Sequence, residues 1–362
     1  MKIIIFIFFI FWFQLMNFCQ VSQGIEFRFK TGFLAAHREV LSHLPSHPAL
    51  CTEISYFKHL KSSNSWAEEF NFPTVGAVLF HGSVGNDDLL GKYTSIYGFA
   101  DIPILHKSLY ELSWRFGSGL GYTNRIYDPL LNPKNMAIST RINAIIIMGI
   151  KSTIRFKKSN ISLGVDLTHF SNSAFNIPNY GINIPYFSVS YARTISQDSS
   201  LRLKSRITEF NKLYFGTCGI FSLKEINPHG NRKYPIYAFT GFSRYFFSQK
   251  AGLELGVDII SNQSIFDFEP QVNKTQLSIL QLGVYTGYLV PLNHFHFFFG
   301  MGVYMRDRYR PNGLFYNRIG FRYQLTSGLY GNITLKSHRA KADYMEIGLG
   351  YVFNFKKKHE NE

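Results

Sequence analysis

Residues 160–191 read NISLGVDLTHFSNSAFNIPNYGINIPYFSVSY, and the parity of this stretch decides the fold. Ile161, Leu163, Val165 and Leu167 are apolar, with the small or polar Ser162, Gly164, Asp166 and Thr168 between them. That is the period-two pattern of a strand whose faces meet different surroundings. The count continues through His169 and Ser171, which fall on the apolar face where the strand enters a turn-rich loop. Against a soluble core, an imidazole there is a half-buried, hydrogen-bonded histidine. Against lipid, a histidine and a serine two residues apart require a chemical reason. After the loop, Asn183, Pro185, Phe187, Val189 and Tyr191 form the bulkier face of the next strand. Asn183 therefore shares the outward side, within cross-strand reach of the histidine if the two strands pair.

Runs of the same kind recur to the end of the chain. Leu253, Leu255, Val257 and Ile259 alternate with Gly252, Glu254, Gly256 and Asp258. Leu280, Leu282, Val284, Thr286, Tyr288 and Val290 alternate with Gln281, Gly283, Tyr285 and Gly287. Ile319, Phe321, Tyr323 and Leu325 alternate with Arg318, Gly320, Arg322 and Gln324. In the last run Met345, Ile347, Leu349, Tyr351, Phe353 and Phe355 share one face, and Glu346, Gly348, Gly350, Val352 and Asn354 the other. A soluble β-sandwich also alternates, but its polar face meets water and has little use for so many glycines, nor its apolar face for so many aromatics. A transmembrane barrel accounts for both faces, with the apolar one toward lipid. The expected fold is therefore all-β: a single transmembrane antiparallel β-barrel over residues 25–355, its strand number even and roughly 12 to 16. Short connections at 158–160, 197–199, 248–250, 292–294 and 326–328 read as tight turns at one end. Longer links such as 122–135 and 262–274 read as loops at the other, which places the 171–181 loop at the outer end.

Composition agrees with this reading. The 362 residues include 36 Phe, 22 Tyr and 29 Gly, yet mean hydropathy is only −0.05, so apolar residues are interleaved with polar ones. The longest later apolar run, 144–150, is far short of the ~20 residues of a helical span. At the start, Lys2 precedes an apolar run over 3–15, with Ser22 and Gly24 behind it. This is the order of a secretory signal peptide, expected as residues 1–24 and cut after Gly24. Cys19 lacks the small preceding residues that lipoprotein processing wants. Residues 356–362, KKKHENE, read as a charged tail. The formal charge of +15 would raise nucleic acid as a partner for a soluble protein, but export makes outer-leaflet lipid phosphates the anions within reach. Cys51 and Cys218 remain after processing, either as a pair or as two thiols.

A serine beside a histidine is the minimum for nucleophilic acyl transfer: the imidazole takes the hydroxyl proton, and a third group fixes its tautomer. Amide donors from Asn172, Ser173 or Asn179 stand near enough in sequence to hold an oxyanion. His-x-Ser alone is a weak pattern, equally that of an interfacial polar pair. His37, His43 and His47 match no zinc spacing and read as loop histidines, and Val84 to Asp88 reads as a turn rather than a calcium loop.

His169-Phe-Ser171-Asn172, followed by Pro178-Asn179-x-Gly181-Ile182, resembles the signature of the PagL-type lipid A 3-O-deacylases, outer-membrane barrels also called acyloxyacyl hydrolase-like. The stretches 32–48, 84–104 and 337–353 are similar to larger members from Bacteroidetes. The resemblance implies an outer-membrane serine esterase acting on lipid A of lipopolysaccharide without metal or other cofactor. Ser171 would be its nucleophile and His169 its general base, with Asn172, Asn179 and Gly181 supporting the site. The family's third member is a glutamate fourteen residues after the histidine, and here that position is Asn183. An amide orients a neutral imidazole but lends no charge to an imidazolium, and losing the acid costs a serine hydrolase up to ~10⁴-fold in turnover. A non-catalytic pore or structural barrel and an outer-membrane phospholipase are the competing readings.

Overall fold

The computed structural model describes residues 20–60, 66–197, 212–226, 232–339 and 341–353. They divide into two compact units, one holding the described residues up to 197 except 173–175, the other 173–175 and the described residues from 212. In the first, eight strands follow one another: β1 (Gln20–Gly32), β2 (Ala49–Leu60), β3 (Thr74–Ser83), β4 (Lys92–His106), β5 (Tyr110–Thr123), β6 (Ile142–Arg155), β7 (Ser159–Ser171) and β8 (Ile182–Gln197). Each pairs antiparallel with the next, and β8 returns to β1, with Gly32 opposite Tyr186 and Phe27 opposite Tyr191. A four-residue helix, α1 (Trp66–Glu69), lies between β2 and β3.

The second unit repeats the plan with β9 (Lys212–Lys224), β10 (Tyr234–Phe246), β11 (Gly252–Asn262), β12 (Leu280–Leu292), β13 (Phe295–Arg306), β14 (Phe315–Gln324), β15 (Leu329–His338) and β16 (Lys341–Phe353). Its barrel closes where β16 meets β9, Phe353 opposite Phe215 and Ile347 opposite Phe221. The expectation of one barrel of 12 to 16 strands is thus corrected: sixteen described strands form two closed barrels of eight. The physical reason is that alternation reports which face a side chain takes and is the same in both cases. Closure depends on which edge strands bond to each other, and β1 with β8 and β9 with β16 are partners that no local pattern announces.

Outward faces are those the alternation assigned. Val165 is 56 % exposed and Leu255 62 %, and their odd-numbered neighbours on β7 and β11 are exposed too. Inside, the first barrel holds Arg28, Lys30, Arg115 and Lys151 against Glu26, Glu53, Asp101 and Asp166, all buried. Lys30 Nζ lies 2.8 Å from Asp166 Oδ1 and 3.3 Å from Glu53 Oε1, and Lys151 Nζ lies 3.0 Å from Glu26 Oε2 and 3.1 Å from Asp101 Oδ2. Buried ions persist only when paired, and here several of the bonds tie strands that are not neighbours. In the second barrel Arg318 bridges Asp258 (2.8 Å) and Glu346 (2.7 Å), while Arg244 and Arg322 converge on Glu254. Inward glycines make room for inward aromatics: a Cβ on Gly302 would lie 2.2 Å from the Tyr316 ring. Both lumens are therefore packed with side chains, as an eight-strand circumference dictates. A sixteen-strand wall would have enclosed a channel.

Connections are mostly short at one end of each barrel and longer at the other, the exceptions being 61–73, which includes α1, and 339–340. In the first barrel, 107–109 and 156–158 are short, while 33–48, 84–91, 124–141 and 172–181 gather at the opposite end. The second has short turns at 247–251, 293–294 and 325–328. The expected turn at 197–199 runs out of the described residues after Gln197. Residues 1–19 of the expected leader and the tail 356–362 are also outside them, whereas 20–24 open β1 and pair with β2 and β8. Cys51 and Cys218 are buried free thiols, one in each barrel.

Candidate active site

The last rungs of β7 build the site. His169 pairs with Asn183 on β8 and with Ile146 on β6, and Ser171 pairs with Ala144. Parity puts His169, Ser171 and Asn183 on the outer face, at the end carrying the long loops. Phe170, between them, points inward and is fully buried, its ring 4.5 Å from that of Tyr93 and edge-on to Phe80 at 5.9 Å. That anchor sets the strand end, so the outward pair on either side of it has a defined direction.

His169 Nδ1 lies 2.6 Å from Asn183 Oδ1. Asn183 Nδ2 lies 3.0 Å from His37 Nδ1, and His37 Nε2 lies 3.1 Å from the carbonyl oxygen of Tyr180. A carbonyl only accepts, so His37 Nε2 donates to Tyr180, and in a neutral ring His37 Nδ1 must accept. The group facing it is then the amide NH₂ of Asn183, whose oxygen is left to face His169. His169 Nδ1 accordingly carries the proton and its Nε2 holds a free lone pair. The bonds from Tyr180 to His169 thus admit one arrangement of protons while both rings are neutral, and it leaves His169 as a base.

The loops hold this arrangement. The N–H of Ala35 donates to the Asn183 carbonyl at 2.8 Å, tying the segment of His37 to the start of β8. Gly181 has φ +79°, and a Cβ there would sit 2.8 Å from His169 Cε1, so only glycine lets the loop pass this close under the ring. Its N–H donates to Ala137 O at 3.0 Å. Asn172 donates its backbone N–H to Asn179 Oδ1 (3.0 Å) and its side-chain Nδ2 to Ser139 Oγ (3.2 Å). The amide donors of Asn172 and Gly181 are therefore engaged in shaping the loop, whereas among the described residues the side-chain NH₂ of Asn179 and the backbone N–H of Ser173 donate to no partner. Ser171 is buried, and among the described residues no hydrogen bond joins it to His169. Catalytic hydrogen bonds commonly tighten only when substrate is bound.

Sequence reasoning brought His169, Ser171 and Asn183 together, but it set His37 aside as a loop histidine. The available signal was the asparagine at position 183: an amide, unlike a carboxylate, has a wrong way round and needs a second partner to fix it. His43 Nε2 bonds the Lys134 carbonyl at 2.9 Å, and His47 accepts from the Asp87 N–H at 3.3 Å. Among the described residues no group of three potential ligands stands in metal-binding reach.

Fold and site define a class, closed antiparallel β-barrels of which the first carries, at one strand end, a serine two residues from a histidine that is bonded to an asparagine. Residues 52–192 match the family model described as lipid A 3-O-deacylase (PagL), and residues 209–356 match that of the acyloxyacyl hydrolase C-terminal domain. The chain belongs to the PagL-type family. The two matches divide the chain as barrel closure does. No curated protein matches it. Among solved structures, a triply substituted mutant of the Rh. blastica porin aligns at 12 % identity over 92 % of this chain and all of its own, with a TM-score of 0.18. The NanC porin aligns at 6 % identity over 91 % of this chain and all of its own, with a TM-score of 0.16. Scores this low carry no argument.

Proposed function

We propose that this protein is an outer-membrane esterase that removes the 3-hydroxyacyl chain ester-linked at position 3 of lipid A, with Ser171 as nucleophile and His169 as general base at the lipid-facing outer rim. The observation that carries the reading is the 2.6 Å contact of His169 Nδ1 with Asn183 Oδ1, which leaves Nε2 as the basic nitrogen of a histidine two residues from Ser171. Membership of a family named for lipid A deacylation supports the substrate. The packed lumens speak against a pore.

In the reaction, Ser171 Oγ attacks the ester carbonyl carbon as its proton passes to His169 Nε2. The tetrahedral oxyanion collapses, the C–O bond to the sugar breaks, and the sugar oxygen takes that proton. Water, deprotonated by the same nitrogen, then cleaves the acyl-serine and frees the 3-hydroxy acid. Asn179 donates to the oxyanion through its NH₂, its Oδ1 being engaged by the Asn172 N–H. Asn183 orients the imidazole without neutralising the imidazolium, so turnover is lower than with a carboxylate at that position.

Ser171→Ala leaves the barrel folded and abolishes a mass loss of one hydroxy-fatty acid in extracted lipid A. Identical lipid A from cells carrying wild type and mutant defeats the proposal. Release of fatty acid from purified phosphatidylethanolamine but not from lipid A would make the protein a phospholipase instead.

A further inference from the structure

We infer that His37 is a positioning residue that fixes the amide of Asn183 the right way round and thereby sets the tautomer of His169. The inference rests on the esterase reading for its role in turnover, but not for its geometry. His37 lies outside the 52–192 match to the family model, on the loop between β1 and β2, and reaches the site across space.

The need for it follows from the chemistry of residue 183. A carboxylate presents acceptors on both oxygens, so it takes the His169 Nδ1 proton in either orientation. An amide has nearly the same shape both ways round, but only one of them works. With Oδ1 toward His169, Nδ1 is the donor and Nε2 the base. With Nδ2 toward His169, Nδ1 must accept, the ring proton moves to Nε2, and the nitrogen that must serve Ser171 can no longer take a proton. The choice is made on the far side of the amide, where His37 Nδ1 accepts from Asn183 Nδ2 at 3.0 Å. His37 is in turn committed to accepting, because its Nε2–H is spent on the Tyr180 carbonyl at 3.1 Å. Two contacts place it: the Ala35 N–H to the Asn183 carbonyl two residues upstream, and Arg38, whose guanidinium carbon lies 5.7 Å from the Tyr180 ring centroid. An asparagine in place of an acid thus functions through a histidine from another loop.

The test grades position 37 by hydrogen-bonding character in the full-length protein in detergent micelles or nanodiscs. His37→Asn keeps an acceptor where Nδ1 stands, His37→Ala offers none, and His37→Lys offers only donors. Expected kcat on purified lipid A falls in that order: within about twofold of wild type for Asn, roughly threefold to tenfold down for Ala, and more than about tenfold down for Lys, which favours the wrong face. A residue needed only for packing would not separate Asn from Lys in this way. In an Asn183→Glu background the Ala substitution should cost less than about twofold, since a carboxylate has no wrong face. Independently of activity, ¹⁵N shifts of His169 should report the Nδ1–H form in wild type and His37→Asn, and the Nε2–H form in His37→Lys. Equal kcat across the series with an unchanged His169 tautomer overturns the inference while leaving a Ser171-dependent esterase standing. A tautomer that follows the series in a protein inert toward lipid A sinks the esterase reading and leaves the inference intact.

Discussion

On β11 of the second barrel the outward residues run Leu253, Leu255, Val257, Ile259 and then Ser261, at the end where its longer loop begins. On β7 of the first they run Ile161, Leu163, Val165, Leu167, His169 and then Ser171. By strand parity both strands carry a serine on the outward side at this end, Ser171 buried and Ser261 half-buried, yet only one serine has a base two residues before it. Ser261 faces Leu280 across the ladder, and its Oγ accepts from Gln263 Nε2 at 2.8 Å, which occupies it. Ser171 has His169 where β11 has Ile259, and across from that histidine stands Asn183 rather than an apolar residue. A rim serine is ordinary in a wall that must meet water at its edge. What marks a site is a second and a third polar group placed outward beside it, because on a wall that meets lipid each would be costly unless it is used.

The strongest way to break this contrast is to make the first barrel's strand read like the second's. His169→Ile is expected to lower turnover on lipid A by roughly 10⁴-fold or more, the scale on which serine hydrolases lose activity without their base. Ser261→Ala in the second barrel should leave turnover within about twofold, because Ser261 has no histidine two residues before it to act as its base and its Oγ is engaged by Gln263. A mass-spectrometric assay of lipid A product with both variants decides it, and an active His169→Ile protein would remove the basis for treating the two rims differently.

Which parts of this contrast were legible in the sequence depended on how local they were. Parity assigned Val165, Leu255 and the other outward side chains, because each needs only its own strand. It also put His169 and Asn183 on one face within cross-strand reach, since a single loop joins β7 and β8, and the two pair directly. Closure was beyond it: β1 meets β8 across more than a hundred intervening residues, and an eight-strand and a sixteen-strand wall alternate alike. The inward glycines were visible on the polar faces but their use was not: positions such as Gly302 accommodate rings like that of Tyr316. His37 was invisible for the same reason as closure. Its partners, Asn183 and Tyr180, lie more than 140 positions away, and nothing in a loop histidine's neighbours tells which strand its loop will fold over.

The two walls, unlike the two rims, should behave alike. Val165 and Val257 each sit at the middle of an outward apolar face. If both faces meet the hydrocarbon of a bilayer, arginine at either midpoint costs about 2–4 kcal/mol of folding stability. Equilibrium unfolding in lipid vesicles measures both. A cost well under about 1 kcal/mol at Val257 with the full cost at Val165 would mean that only the first barrel is lipid-facing, and the likeness of the walls would fail.

A smaller effect sharpens the comparison at a single atom. Gly181, under the active-site ring, and Gly313, on the loop between β13 and β14, both have left-handed backbone, at φ +79° and +89°. Alanine at either position carries the strain of that conformation, about 1–2 kcal/mol. At Gly313 that is the whole expense, since a Cβ there meets nothing within 4 Å. At Gly181 the added carbon would sit 2.8 Å from His169 Cε1, so the ring must move, and the bond from its Nδ1 to Asn183 lengthens or bends. Gly181→Ala should therefore lower turnover roughly tenfold beyond Gly313→Ala, although the two lose similar stability. Thermal unfolding and kcat measured together separate the strain, which they share, from the displaced imidazole, which only the first barrel has. Equal activity in the two variants would mean that the ring's position is not what the loop of residues 172–181 is shaped to hold.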